Sequence, residues 1–224
     1  MDSDRTGVRV PTLTRHGVTW PDAGESLATL TAEFGRHQCV HLPSLLDPWL
    51  VGWLQRAIER GRFQDKAHGD AATELCLDAD PCVGVLHFLV NDPAIYRLIE
   101  TLAGCGTVRS FFGRVYRHVP GAGHFHDWHG DVTSDRLVGM SINLSAAPYE
   151  GGRFEIRHIG NQGALASIAN LGAGDAIVFG LGDTLEHRVT SLEGTRPKTA
   201  FAGWFRRAPD YLHQLRSGAA ADRA

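Results

Sequence analysis

The hydrophobic pattern of this 224-residue chain changes near Gly106, and this change limits the folds that the chain can adopt. Beyond that residue, short runs rich in branched and aromatic side chains alternate with clusters of glycine, proline and polar residues. The strand-like runs cover residues 108–116, 137–145, 153–157, 175–180, 185–191 and 198–205. Several short strands with regular turn signals predict a β-barrel or a β-sandwich in this half of the chain.

The preceding half of the chain shows helical periodicity around one short strand. The patterns predict a strand over residues 39–43 and helices over residues 25–34, 49–61 and 91–104. Gly35 is expected to end the first helix, and Asp47 with Pro48 is expected to start the second. Residues 62–82 are polar and broken, so we predict a long loop there.

Together these patterns predict one domain over residues 1–224, mainly β with flanking α-helices. Its expected parts are a loosely structured N-terminal arm (1–24), a mainly helical support (25–106), a β core (107–208) and a short C-terminal tail (209–224).

Composition narrows the classes of partner. The net charge is −3, so no global basic field indicates binding to nucleic acid or to an anionic membrane. The N-terminus lacks the apolar core of a signal peptide, and no stretch has the length and apolarity of a membrane span. The four cysteines are irregularly spaced, which favours free thiols over a disulfide framework. We therefore expect a cytoplasmic protein without nucleic-acid or membrane partners, whose oligomeric state is open.

Two histidines and one carboxylate commonly hold iron(II) in oxygenases, leaving other coordination positions open. His129-Gly130-Asp131 offers two such ligands, because side chains two apart on a strand share a face. Chance alone supplies about one such H-x-D pair in a chain of this composition, so context has to decide. A second pair begins at His68, in the polar loop region, and we predict that His68 is a plain surface residue.

His187 is the candidate third ligand, 58 residues after His129. It follows a Gly-Asp turn with an apolar strand (GAGDAIVFG), and a glycine turn, basic residues and an aromatic strand end come after it. A strand histidine alone is a weak signal, and this local order strengthens it.

These pieces, taken in order, resemble the prolyl-4-hydroxylase-like branch of the 2-oxoglutarate/iron(II)-dependent dioxygenases. The similarity covers residues 108–206 and rests on H-x-D at 129–131, EGGRFEI at 150–156, GDAIVF at 174–179, HRVTSLEG at 187–194 and TRPKTAFAGWF at 195–205. The resemblance implies a double-stranded β-helix (jelly-roll, cupin-like) barrel. It also implies that His129, Asp131 and His187 bind Fe(II), and that 2-oxoglutarate chelates this ion.

The resemblance further implies a cation for the far carboxylate of 2-oxoglutarate, near the start of the last strand. Arg196 and Lys198 are the two candidates, nine and eleven residues after His187. Both share strand parity with Trp204, so alternation does not separate them. We favour Lys198, because two alanines separate it from Trp204 on that face and leave room for a ligand; Arg196 fits the usual spacing from the distal histidine better.

Other residues are assigned to the site by strand parity and position. Tyr116 ends the strand before the metal motif, where the family often has a tyrosine that contacts the oxo-acid, and Ser141 and Asn143 share one strand face. The alternative for that pair is an exposed polar face. The candidate substrate contacts are Trp128, Arg157 and Trp204. His124 and His126 are expected to be either loop residues or residues that support the metal ligands from behind, and Phe154 a core residue.

The implied activity is hydroxylation of an unactivated C–H with O2, giving succinate and CO2. Asp131 favours hydroxylation over halogenation, which in related enzymes goes with a small residue at that position. The substrate is expected to be a small molecule, an amino acid or a peptidyl residue, with ascorbate as an accessory reductant. Two alternatives remain at this stage: a cupin-like metalloenzyme that does not use 2-oxoglutarate, and a non-catalytic barrel that binds a small molecule.

Overall fold

The structure is a computed structural model, and it describes residues 10–20, 24–69, 71–170 and 172–209. Most of the expected C-terminal tail and part of the expected N-terminal arm lie outside these residues. The first half contains a hairpin, four helices and three further strands. In chain order these elements are β1 (Thr12–Thr14), β2 (Gly17–Thr19), α1 (Gly24–His37), β3 (Cys39–Leu42), α2 (Pro48–Arg60), β4 (Phe63–His68), β5 (Ala72–Leu77), α3 (Pro81–Val90) and α4 (Pro93–Ala103).

Three of the helices begin at the same Asp-Pro signal. Asp47, Asp80 and Asp92 each accept a hydrogen bond from a backbone N–H in the first turn, and a proline follows each of them. The predicted second and third helices are confirmed as α2 and α4, and Gly104 ends α4 in the left-handed conformation. Helix α3 was not predicted, because its residues are apolar almost throughout and carry no helical period.

Three predictions for the first half of the chain differ from the structure. The predicted loop over residues 62–82 is wrong: β4 and β5 form an antiparallel hairpin there, with Phe63 opposite Leu77. The predicted loose arm contains the hairpin of β1 and β2, and Leu13 of β1 is fully buried. Helix α1 continues through Gly35 to His37, where Gln38 adopts a positive φ of 52°.

The second half is all β, as predicted. Its strands are β6 (Ser110–His118), β7 (Phe125–His129), β8 (Arg136–Asn143), β9 (Glu150–Gly151), β10 (Phe154–His158), β11 (Ala166–Ile168), β12 (Ala176–Gly180), β13 (Leu185–Val189), β14 (Leu192–Glu193) and β15 (Lys198–Arg206). An eleven-stranded sheet runs in the order β11-β10-β13-β7-β5-β6-β15-β8-β12-β3, with β4 attached to β5. Its neighbouring strands are antiparallel, and β9 pairs separately with β14.

The sheet curls until strands from its two ends pack against each other. Phe154 of β10 lies 4.6 Å (ring centroids) from Phe179 of β12, although six strands separate β10 and β12 in the sheet order. These two rings belong to a small buried cluster inside the barrel, whereas the helices and the other sheet face share a larger core. This curled sheet is the double-stranded β-helix that the sequence predicts.

No single helix among the described residues is both long and apolar enough to span a membrane. Helices α3 and α4 satisfy the length and composition criterion only as a pair, bent by 59°. The four cysteines are thiols that form no disulfide with one another; Cys39 and Cys82 are buried, and Cys76 and Cys105 are half-buried.

Candidate active site

The barrel brings the three candidate metal ligands together. His129 ends β7 and His187 lies in the middle of β13, and antiparallel pairing puts these two residues directly opposite each other. Their ring centroids are 4.4 Å apart. Asp131 follows His129 by two residues and turns its carboxylate back toward both rings. The distant segments predicted from sequence thus meet at one point.

The donor atoms of this cluster suit a divalent ion. The distance from Asp131 Oδ2 to His187 Nε2 is 3.5 Å, and to His129 Nε2 it is 3.9 Å. All three donor atoms lie within 4.8 Å of one another. Adjacent ligands at about 2.1 Å from one octahedral ion would lie about 3 Å apart, so a small inward movement completes the geometry. Two imidazoles and one carboxylate are the donor set of non-haem iron(II) oxygenases.

Backbone and packing contacts orient the two imidazoles. His129 Nδ1 lies 2.7 Å from the carbonyl oxygen of Asp127, which assigns the proton to Nδ1 and leaves Nε2 free to bind a metal. His187 is buried between Phe154 and Phe179, with ring centroids at 5.7 and 4.7 Å. Burial lowers the pKa of His187, and its contact with Asp131 opposes this shift. The neutral form required of a metal ligand is therefore favoured.

Both oxygens of the Asp131 carboxylate have protein partners. Arg136 Nη1 donates to Oδ1 at 2.9 Å, and the indole N–H of Trp204 donates to Oδ2 at 2.8 Å. Burial alone would raise the pKa of Asp131, but the hydrogen bonds from His187 and Trp204 and the neighbouring charges lower it. The carboxylate is therefore held ionised, with Oδ2 facing the histidines.

A cavity of about 310 Å³ opens beside this cluster. Apolar atoms make up most of its exposed wall, although about half of its lining residues are polar or ionisable. Alternate residues of β15, Lys198 to Trp204, line one side, so the predicted register of this strand is confirmed. The polar part of the wall also includes Tyr116, Ser141, Asn143, Arg114, Arg136, His68 and His126.

The two candidate cations for 2-oxoglutarate lie in different environments. Lys198 is buried and lines the cavity, whereas Arg196 is exposed and is not part of the cavity wall. Lys198 Nζ donates to the carbonyl oxygen of Gly152 at 2.8 Å, and among the described residues it forms no ion pair with a carboxylate. Burial lowers the pKa of Lys198 to about 7. An unpaired buried ammonium suits the far carboxylate of 2-oxoglutarate.

Tyr116, Ser141 and Asn143 also line the cavity, but their hydrogen bonds differ. Burial raises the pKa of Tyr116, whose hydroxyl is hydrogen-bonded to Ser141. The Asn143 amide is occupied by the backbone: Oδ1 accepts from Ser145 N at 3.0 Å, and Nδ2 donates to Gly172 O at 3.1 Å. Asn143 therefore holds the loop after β8 and the loop before β12, and Tyr116 and Ser141 retain more capacity to contact a ligand.

The structure brings only one of the three candidate substrate contacts to the cavity. Trp204 lines it, whereas Trp128 and Arg157 pack on each other outside it, with the guanidinium 3.8 Å from the indole centroid. Arg157 is also ion-paired with Glu186 at 2.7 Å. His126 lies in β7 rather than in a loop, and its ring stacks on His129 at 4.5 Å, which agrees with the alternative that it supports the metal ligands from behind. Phe154 is a core residue as expected and lines the cavity as well.

Sequence reasoning missed a buried ionic cluster beside the cavity. Glu74 of β5 is fully buried, and its Oε1 accepts from Arg114 Nε at 2.6 Å and lies 2.9 Å from His68 Nε2. Burial raises the pKa of Glu74, but His118 and Arg114 more than offset this and lower it. His68 is therefore not a plain surface residue. The alternation of ATELCL could have indicated β5, but the polar residues around it concealed the strand.

The same cluster contains a second group of possible metal ligands, formed by His68, Glu74 and Cys76. The Arg114 guanidinium occupies this place, because it contacts both Glu74 and His68. A metal ion there would meet a fixed positive charge, so this group is better understood as an ion-pair network.

Comparison with known proteins finds one family match, and it falls on the barrel. The sequence profile of the 2OG-Fe(II) oxygenase superfamily matches residues 113–206, from within β6 to the end of β15. No curated protein gives a match to the chain.

Solved structures match over most of the chain. A prolyl-4-hydroxylase from Pseudomonas putida is 20% identical, with 81% of this chain and 99% of that chain covered and a TM-score of 0.61. An oxidoreductase of the 2OG-Fe(II) oxygenase family from Burkholderia pseudomallei is 18% identical, with 89% and 97% covered and a TM-score of 0.64. The non-haem alpha-ketoglutarate-dependent epimerase SnoN from nogalamycin biosynthesis is 18% identical, with 81% of each chain covered and a TM-score of 0.61.

At these identities the solved structures establish the fold, which this chain shares with prolyl-4-hydroxylases. The barrel strands, residues 113–206, match the 2OG-Fe(II) oxygenase superfamily, and this stretch contains all three candidate metal ligands and Lys198.

Proposed function

We propose that this chain is a single-domain hydroxylase in which His129, Asp131 and His187 hold Fe(II) and Lys198 holds the far carboxylate of 2-oxoglutarate. The observation that carries the proposal is the convergence of these groups on one cavity. Two imidazole nitrogens and one carboxylate oxygen face a common point, and a buried ammonium without a carboxylate partner lies on the same wall. When bound, iron(II) and 2-oxoglutarate supply the oxidising chemistry, with O2 as oxidant and succinate and CO2 as co-products.

The residues of the chain have separate tasks in this scheme. Trp204 and Arg136 fix the Asp131 carboxylate, and the carbonyl of Asp127 fixes the ring of His129. Lys198 binds the co-substrate at one end of β15, and the small residues between it and Trp204 leave space along the strand. Tyr116 and Ser141 lie on the strands flanking β15 and can contact the co-substrate from the side. The apolar wall keeps water away from the reacting C–H bond.

The ligand set favours hydroxylation as the outcome. Asp131 takes up a coordination position with a carboxylate held on both of its oxygens, so a halide finds no vacant place there. The substrate class that we propose is a small molecule, an amino acid or a peptidyl residue with an unactivated C–H. The mostly apolar wall supports a substrate whose reacting part is hydrocarbon. Ascorbate as accessory reductant and a cytoplasmic location remain predictions.

An anaerobic titration tests the proposal directly. Apo-protein is titrated with Fe(II) and then with 2-oxoglutarate, and the weak visible charge-transfer band of the chelate is recorded. The variants His187→Ala, Lys198→Ala and Arg196→Ala are measured in parallel. We expect a band in the wild type, loss of iron binding in His187→Ala, and weaker 2-oxoglutarate binding in Lys198→Ala. Arg196→Ala is the matched control, since Arg196 lies outside the cavity, and it should behave as the wild type does.

Two results would contradict the proposal. Iron binding that survives in His187→Ala would remove this histidine from the ligand set. Weakened 2-oxoglutarate binding in Arg196→Ala together with normal binding in Lys198→Ala would reverse the assignment of the cation. Formation of succinate in air, with addition of one oxygen atom to an accepted substrate, would then establish the hydroxylase activity.

A further inference from the structure

We propose that the prime substrate carries a single carboxylate, and that Arg114 and Arg136, on either side of Trp204, bind this group. The inference rests on the proposed function, because it places the substrate in the same cavity beside the iron and 2-oxoglutarate. It adds a chemical class of substrate and two specificity residues that the sequence did not single out.

The two arginines lie on the strands that flank β15. Arg114 comes from β6 and Arg136 from the start of β8, and both line the cavity. Their guanidinium carbons are 5.9 Å and 3.6 Å from the centre of the Trp204 indole. Two cations and an aromatic face therefore lie together near Asp131, at the other end of β15 from Lys198.

Each guanidinium forms hydrogen bonds through some of its N–H groups, and its other N–H groups remain unused within the described part of the chain. Arg114 uses Nε toward Glu74 and Nη2 toward His68, at 2.6 and 3.2 Å. Arg136 uses Nη1 toward Asp131, at 2.9 Å from Oδ1. Among the described residues, Nη1 of Arg114 and both Nε and Nη2 of Arg136 have no protein acceptor. A guanidinium that is fixed in orientation and has unused N–H groups is preorganised to bind a carboxylate.

The balance of charge indicates how many negative charges the substrate brings. The two charges of Fe(II) and the one of Lys198 equal the three negative charges of Asp131 and 2-oxoglutarate. Glu74 neutralises Arg114. Arg136 then remains as one uncompensated positive charge, since the carboxylate of Asp131 is shared with the metal. One substrate carboxylate restores neutrality in the loaded cavity.

Matched acid and amide probes test this inference. The protein is loaded with Mn(II) and saturated with 2-oxoglutarate, so that the co-substrate site is filled and no turnover takes place. The n-alkanoates from acetate to octanoate are then compared with the corresponding amides. Paramagnetic relaxation of the probe protons by Mn(II) measures binding near the metal, and Zn(II)-loaded protein gives the diamagnetic reference. We expect at least one acid to bind about tenfold or more tightly than its amide.

Variants then assign this preference to the arginines. Arg136→Gln should abolish the acid-over-amide preference, whereas Arg136→Lys should keep part of it because the charge remains. Arg114 is replaced together with its partner, as Arg114→Gln with Glu74→Gln, so that no buried charge is left unpaired; this double variant should weaken acid binding about tenfold or more. Arg153→Gln is the control, since Arg153 is exposed and bonds to Ser167 outside the cavity. Affinities for Mn(II) and 2-oxoglutarate are measured for every variant.

Each outcome bears on the inference. No acid-over-amide preference across the series, or a preference that survives both arginine replacements, would overturn it. Acids that bind only when 2-oxoglutarate is withheld would occupy the place of the co-substrate, and this would overturn it too. Failure of the protein to bind Mn(II) or 2-oxoglutarate would be seen before any probe is added. That failure would refute the proposed function, and the inference would fall with it.

Discussion

Removal of the Glu74 carboxylate should destabilise the fold more than any exposed ion pair could. Glu74 has a fully buried side chain and Arg114 one that is 27% exposed, and their contact is 2.6 Å long. Breaking a buried pair by removing one partner costs about 3–5 kcal/mol. Because Arg114 keeps some contact with water, we expect Glu74→Ala to lower the free energy of unfolding by about 3 kcal/mol, near the lower end of this range. In a chain of this size that lowers the Tm by about 6–12 °C.

A double-mutant cycle separates the free energy lost with packing contacts from the free energy lost by leaving a buried charge unpaired. Glu74→Leu combined with Arg114→Met replaces both charges by apolar side chains of similar size, and the pair should cost far less than either single replacement. Urea unfolding of the four proteins of the cycle and of Glu74→Ala measures the free energies of unfolding. The pKa of Glu74 is lowered in the fold, so its contribution is present above the unfolded pKa of the carboxyl and is lost as pH falls through the folded pKa. Additive losses, or a cost of Glu74→Ala below about 1 kcal/mol, would refute this reasoning.

Three further predictions concern the cavity. In the wild type, binding of 2-oxoglutarate should weaken as pH rises above 7, because burial lowers the pKa of Lys198 to about 7 and only the protonated form binds the carboxylate. In Lys198→Arg, binding of 2-oxoglutarate should be independent of pH between 6 and 9. Titration calorimetry checks both, and parallel pH profiles would contradict the assignment. Trp204→Phe removes the N–H that donates to Asp131 Oδ2, so iron affinity should fall about 10–100-fold, as measured with a competing chelator. An unchanged affinity would show that Arg136 alone holds the carboxylate. Gly139→Ala brings a Cβ into the ring of Phe179, which packs on His187. The free energy of unfolding in urea should therefore fall by about 1–3 kcal/mol, and iron affinity should fall with it. An unchanged stability would mean that the ring moves freely.

The sequence predicts the barrel strands well because each has a buried face and a turn at its end. The runs containing Ser141, His187 and Lys198 fall on strands, and the register of β15 follows from simple alternation. His129 and His187 lie on paired strands, but Asp131 lies beyond the end of β7, so strand parity does not place its side chain, and the set of three ligands is identified through the family resemblance. Local pattern is informative wherever one face of an element is buried and the other is not.

The errors in the first half have physical causes as well. Strand β4 is exposed along most of its length, so its sequence resembles a polar loop, and only pairing with β5 makes it a strand. Helix α3 is apolar nearly all round, which removes the helical period. The hairpin at Thr12–Thr19 depends on the distant Leu45, whose carbonyl accepts from Leu13 N at 2.7 Å. Long-range partners of this kind are not visible in a single sequence.

Glu74 and Lys198 show how a buried charge distinguishes a structural role from a binding role. Both lie in the barrel, and both would be costly to bury alone. Glu74 is compensated within the chain, because a guanidinium and an imidazole contact its Oε1, and its pKa is accordingly lowered. Lys198 donates only to a neutral carbonyl, and its pKa falls toward neutrality because no anion in the described structure offsets its burial. The free energy that Glu74 gains from Arg114 during folding is, for Lys198, available only when an external carboxylate binds. A cation left in this state on the wall of a cavity stabilises an anionic co-substrate at the expense of the unliganded protein, and for that reason Lys198 is the stronger candidate for the 2-oxoglutarate site.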